Sequence, residues 1–279
     1  AQGKSVAVRD AFYPLETPQY DRAEQNPQQI YDAVEEVIAG VVKDLQYKLV
    51  TISGIALSSV MHSFIPQDEH FDLLGNMITW ADSRSSTIVH RMEQDETCKQ
   101  FYFRTGCPLH ASYPLAKIIW VKENQPEIFA RMAHIGSIKD YMFRLMTGEW
   151  VTDKSVASSS GLFNAFTETW DSEILDHVGI QEEQLPKVVS TTYSGKLIAG
   201  VAERLGLPVN TPVVIGATDG VLVNVGIGAV SKGQLSATIG TSGAIRMLTE
   251  KPQMDPKGRT WCYNLTDTMW VAGGAINNG

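Results

Sequence analysis

"VVIGATDGVLVN", Val213 to Asn224, carries a single carboxylate, Asp219, in a run of residues that are nearly all apolar or small. An ionised acid withdrawn from water without a partner costs several kcal/mol, so its placement needs a cause. Val213 to Ile215 reads as a strand and Gly220 to Val230 as a helix. That sets Asp219 at a strand-to-helix junction on a sheet edge, where α/β proteins bind ligands. Two readings stand at this point. Asp-Gly is a turn signal in its own right. A carboxylate at such a junction can also accept a hydroxyl proton while a phosphoryl group moves onto that oxygen.

Upstream, "PQQIYDAVEEVIAGVVKDLQ" places Ile30, Val34, Val37, Ile38, Val41, Val42 and Leu45 on one helical face, with Pro27 in the first turn. Leu49 to Ser59 is expected as a buried strand, and Val6 and Val8 alternate with polar neighbours as a half-buried strand does. Strand, helix and strand of these lengths make an α/β unit. The middle reads as helices over Arg84–Phe103, Pro114–Asn124, Pro126–Ala133 and Ile138–Met146, the last closed by Gly148. Downstream, Gln234–Gly240 and Gly243–Leu248 are expected as two strands joined by a tight turn, followed by a strand at Met269–Ala272. A composition shift at Ala229–Gly233 suggests a domain boundary. The start at Gly3-Lys4 resembles the far side of a hairpin, and the end falls in a glycine-rich turn, so the chain is expected to be the interior of a longer protein.

The 279 residues are 43% hydrophobic and 19% charged, with a formal net charge of −8. A soluble globular protein fits these values, and general nucleic-acid binding, which needs a basic face, does not. Cys98, Cys107 and Cys262 are too scattered for a disulfide scaffold or a Cys-x-x-Cys metal site, so a reducing cytoplasm is the expected compartment. The apolar run around Asp219 is a poor membrane span because it holds Asp219, Asn224 and several glycines. Gly226-Ile227-Gly228 begins a dinucleotide fingerprint, but Ser231 stands at the third glycine position.

Gly240-Thr241-Ser242-Gly243 is the first candidate site. Flanking glycines let backbone N–H groups point at an anion, and two hydroxyls add donors; a plain hairpin turn is the alternative. His62 leaves a strand where it can bond a polyol or serve structure alone. Asp82 and Arg84 can cap and pair at a helix start without any ligand.

Several blocks, in order, resemble the FGGY family of carbohydrate kinases. "ASYPLAKIIWVKEN" is similar to its first signature through Ser112, Pro114, Lys117, Trp120, Glu123 and Asn124, with Val121 where Leu or Phe is usual. "ITWADSR", "FRTGCPLH", "SIKDYMFRLMTGEWVTDKSVASSSGLFN" and "LGLPVNTPVVIGATDG" match further blocks. Within the family, "SSVMHSFI", "IGTSGAIR" and "VAGGAINNG" are most similar to the gluconate-phosphorylating members, with xylulose kinases the nearest competitor. Glycerol kinases carry an Arg-Glu pair near the position of Met61-His62.

The resemblance implies a two-domain ribonuclease H-like fold of the actin/hexokinase type, here incomplete. Residues 1–230 would be the N-terminal sugar-binding domain and 231–279 the start of the nucleotide-binding domain. It implies Asp219 as general base and Met61, His62 and Asp82 beside the sugar. Gly240, Thr241, Ser242 and Gly243 would hold ATP phosphates, and Gly273, Gly274, Asn277 and Asn278 would begin the nucleotide pocket. Mg²⁺ would come with ATP and an N-terminal hairpin, with no metal ligand in this stretch. The implied reaction is ATP-dependent phosphorylation of D-gluconate to 6-phosphogluconate, with a non-catalytic sugar-binding relative as the different-class alternative. A homodimer is compatible with this. A substrate carboxylate needs a cation, for which Arg84, Lys139 and Arg246 are candidates.

Overall fold

The computed structural model describes residues 3–48, 50–240 and 243–276. The segment quoted above forms the central strand, Pro212–Thr218, of a three-stranded sheet, and the helix Asp219–Gly226 follows it directly. Ser194–Lys196 pairs with this strand antiparallel and Ile55–Ser59 pairs parallel. Val213, Ile215 and Ala217 alternate into the core. The parallel ladder shifts register between Val214 and Ala217, so the central strand carries one extra residue against its neighbour.

Helix Pro27–Leu45 starts as its sequence dictates. The Asn26 side chain accepts from the amides of Gln28 and Gln29, and Pro27 occupies the first turn, where an N–H has no intrahelical partner. Its apolar stripe buries Ile30 and Tyr31 in a cluster with Leu57, Val213 and Ile215. Met142, Phe143 and Met146 of helix Ile138–Thr147 complete that cluster. A reciprocal Ser137–Asp140 capping box opens this second helix and Gly148, at φ +80°, closes it.

A second core lies under the helices Ser86–Met92, Glu96–Thr105 and Pro114–Asn124. Downstream, four antiparallel strands stand in the order Leu235–Ile239, Gly243–Thr249, Met269–Ile276, Trp261–Thr266. This sheet is joined to the rest by a shared cluster: Cys107, Tyr113, Ala217, Val221, Leu248, Tyr263, Leu265 and Val271. Asp219 therefore sits where the three-stranded sheet, its own helix and the second sheet converge.

Three local expectations are corrected. The alternating segment around Val6 and Val8 forms no ladder; these side chains are 52% and 73% exposed, and no described strand offers them an edge. Of the expected strand Leu49–Ser59, Leu49 lies outside the described residues and the ladder runs over Ile55–Ser59, because its neighbour begins at Pro212, which has no N–H to give and faces Gly54. The expected Arg84–Phe103 helix is two helices, since Asp95 stops the first and caps the second through the amide of Thr97. Among the described residues no helix is long and apolar enough to cross a membrane.

Candidate active site

Asp219 is the first residue of its helix and is exposed, and the next residue, Gly220, lines a cleft. One oxygen accepts from the Gly220 amide at 2.7 Å. The preceding residue is clamped: the Thr218 amide donates to Ser155 Oγ at 3.1 Å, and the two hydroxyls lie 2.8 Å apart. Partial burial raises the Asp219 pKa, opposed by the Gly220 N–H and then by the charges of Arg246 and Lys139. A carboxylate raised in this way is a stronger base than a free one.

The cleft beside it encloses about 430 Å³, within the rough range of 300–1,000 Å³ for small-molecule sites. Met61 and His62, from the loop after strand Ile55–Ser59, form one wall with Tyr113 and His110. The face of the second sheet, with Ala244, Arg246, Trp261 and Tyr263, forms the other. Met61 packs so closely on Gly220 that a Cβ there would lie 2.7 Å from its methyl group.

His62 is held on every side. Its backbone is left-handed, at φ +63°, and its carbonyl accepts from Lys117 Nζ at 2.5 Å. Nδ1 lies 2.8 Å from the Ser159 carbonyl, which can only accept, so Nδ1 carries the proton. The ring meets Tyr113 edge-to-face at 4.7 Å, and the Tyr113 hydroxyl lies 2.5 Å from that of Tyr263. Burial lowers the His62 pKa to about 3, against the Ser159 carbonyl, which favours the charged form. The neutral ring thus keeps Nε2 as an acceptor for a hydroxyl. Since an unfolded histidine titrates near 6.5, this group's contribution to stability is complete above about pH 6.5 and is lost as pH falls towards 3. The ring C–H resonances of His62 are expected to stay unshifted from about pH 8 to about pH 5, where exposed imidazoles titrate. A titration with midpoint near the free value would overturn this assignment.

The structure places Asp82 outside the residues that line this cleft. Its buried carboxylate accepts from the Ala23 amide at 2.8 Å and from Arg84 Nε and Nη2 at 2.9 and 2.7 Å. Arg84 also reaches Glu24 and lies over the ring of Trp120. The signature residues Lys117 and Trp120 are accordingly architectural, and Lys117, whose pKa burial lowers to about 7, ties His62 O to Thr79 O.

Of the residues expected to hold the nucleotide, Gly240 follows strand Leu235–Ile239 and Gly243 opens its antiparallel partner, while Thr241, Ser242, Asn277 and Asn278 lie outside the described residues. Gly273 and Gly274 both lie within strand Met269–Ile276. A Cβ at Gly273 would come within 2.6 Å of Trp261, so packing already accounts for it. At Gly274 a Cβ would meet nothing within 4 Å, which leaves the backbone open to a ligand. Among the described residues no cluster of three or more His, Cys, Asp or Glu could hold a metal.

The residues missed from sequence are aromatic. Trp261 and Tyr263 stack at 4.6 Å and 10°. Their period-two spacing in "TWCYN" was the available signal, with Cys262 turned to the opposite face of the strand.

With this geometry in view, the model for the FGGY family of carbohydrate kinases, N-terminal domain, matches residues 1–226. The chain belongs to the FGGY family of carbohydrate kinases. It is 44% identical to gluconokinase of Bacillus subtilis (strain 168) over 278 residues, 99% of this chain and 54% of that protein. Xylulose kinase of the same organism is 31% identical over 263 residues, 94% of this chain and 52% of that protein. The crystal structure of gluconate kinase from Lactobacillus acidophilus superposes with a TM-score of 0.95 at 36% identity, covering 99% of this chain and 56% of that one. The chain spans about half the length of the curated relatives it matches. The fold is therefore that of an FGGY sugar kinase, a two-domain actin/hexokinase-type architecture of which about half is present.

Proposed function

We propose that the complete protein transfers the γ-phosphoryl group of ATP to the terminal hydroxyl of a sugar acid, D-gluconate, giving 6-phosphogluconate. The observation that carries this reading is Asp219, a solvent-facing carboxylate of raised pKa at the head of a helix beside a polyol-sized cleft. Asp219 takes the hydroxyl proton as the acceptor oxygen bonds to phosphorus and the bond to the bridging oxygen of ADP breaks. His62 Nε2 accepts from a second hydroxyl, and Met61, Tyr113 and Trp261 shelter the carbon chain. Gly240, Gly243 and Gly274, with the side chains of Thr241, Ser242, Asn277 and Asn278, receive the nucleotide. Mg²⁺ enters with ATP and offsets phosphate charge.

Residues 1–230 then serve as the acceptor domain and 231–279 as the start of the nucleotide domain. The compartment that fits is the cytoplasm, since Cys98, Cys107 and Cys262 are all unpaired thiols. The similarity to gluconate kinases supports the substrate, and the 31% identity to a xylulose kinase makes D-xylulose the second reading.

Coupled ADP release by the complete protein, run across gluconate, xylulose, ribulose and glycerol, is expected to give its highest kcat/KM with gluconate. A preference for xylulose overturns the substrate while leaving the kinase reading in place. Calorimetric binding of gluconate with no ADP release on any acceptor makes the protein a non-catalytic sugar-binding relative instead.

A further inference from the structure

A hydroxy acid presents two handles, a hydroxyl to be phosphorylated and a carboxylate that needs a cation. We propose that Arg246 binds the acceptor's carboxylate and so selects sugar acids over neutral sugars. This deepens the gluconate reading and rests on it.

The other cations are already engaged. Arg84 is fully held by Asp82 and Glu24, away from the cleft. Lys139 is completely buried, 2.7 Å from Asp153, although the two are not aligned as a hydrogen bond. Arg259 lines the cleft but is bidentate to Asp255, at 2.6 and 3.0 Å. Burial lowers the pKa values of His62 and His110, so both rings are neutral at physiological pH.

Arg246 differs from all of these. It lines the cleft, and no described carboxylate lies within ion-pairing distance of it. Among the described residues its one side-chain hydrogen bond runs from Nη1 to Thr238 Oγ1, at 3.1 Å, which fixes the guanidinium on the sheet. Nε is buried and has no partner among the described residues. A buried N–H left unpaired costs roughly 1–3 kcal/mol, and a carboxylate is the acceptor whose two oxygens match the remaining fork.

The strand register explains the setting. Arg246 pairs with Gly273, which pairs in turn with Trp261. Gly273 has no side chain, so the Trp261 indole leans over it and walls the guanidinium from one flank. Asp219 adjoins the cleft through Gly220, and its charge and that of Arg246, opposite in sign, each shift the other's pKa. An acceptor carrying a hydroxyl and a carboxylate meets both.

The test uses the complete enzyme with Arg246→Met and Arg246→Lys, each checked for an unchanged melting curve. Turnover is read by ADP release and acceptor binding by calorimetry, with D-gluconate and with neutral D-xylulose. For Arg246→Met the expected result is a loss of about 100-fold in kcat/KM for gluconate, carried mainly by KM. Xylulose binding and the KM for ATP should stay unchanged, and Arg246→Lys should recover part of the loss. The acid limb of the gluconate pH profile should also move to higher pH, because Asp219 loses a cation while keeping Lys139. Equal losses for both acceptors, or a raised KM for ATP, would overturn the inference and make Arg246 a phosphoryl clamp or a structural residue. Unchanged gluconate kinetics would overturn it too. If the unaltered enzyme prefers xylulose, the substrate reading itself fails, a result separable from any effect of the Arg246 variants.

Discussion

Asp219→Asn in the complete enzyme is expected to lower kcat by roughly 10²–10⁴-fold, the range that positioned general bases supply. Acceptor binding should change little. An amide is nearly isosteric with a carboxylate and keeps an oxygen for the Gly220 amide, now 2.7 Å from the carboxylate. It lacks the basic lone pair that takes a proton at neutral pH. The clamp of Thr218 by Ser155 is made by the preceding residue and is untouched, so the helix start should stay in place. A loss carried by kcat with KM preserved marks an interaction made only in the transition state. Near-normal kcat would remove Asp219 from the mechanism.

Gly216→Ala is expected to be the most damaging single methyl group near the site. Gly216 has φ +69°, a left-handed conformation that costs an L-residue about 1–2 kcal/mol. A Cβ there would lie 1.9 Å from the carbonyl oxygen of Leu57. That oxygen belongs to the backbone of the neighbouring strand and cannot rotate away, so the two parallel strands must separate at their bulge. The expected loss exceeds about 4 kcal/mol, the class reserved for named core defects. Urea unfolding of the complete enzyme measures it, and a loss below about 1 kcal/mol would show that the bulge is plastic. Because Asp219 follows three residues later on the same strand end, a partly folded variant should also lose turnover.

The sequence made the strand-to-helix junction at Asp219 legible because hydrophobic run, Asp-Gly pair and helix length are all local signals. The helices at Pro27, Pro114 and Ile138 were legible for the same reason, each being opened by a proline or a cap. Where the structure differs from the reading, the deciding fact was tertiary. Val6 and Val8 have the alternation of a strand but no neighbouring edge. Asp82 has the chemistry of a sugar ligand, yet Arg84, two residues on, turns inward and takes both its oxygens. The break at Asp95 was the exception, since Asp95-Glu96-Thr97 carries a cap signal that the longer periodicity obscured. The aromatic wall was invisible as a unit because Tyr113 and Tyr263 stand 150 residues apart and meet only through folding.

The tie made by Lys117 has a consequence for folding cooperativity. Its ammonium holds the carbonyl of His62, 55 residues away, and that of Thr79, 38 residues away. If helix Pro114–Asn124 undocked, two buried carbonyls would lose their donor and the left-handed turn at His62 would lose its restraint. The helix and the loop therefore open together or not at all, as one unit of local stability. The wall of the cleft at His62 borrows its rigidity from a helix that contributes no lining residue to it.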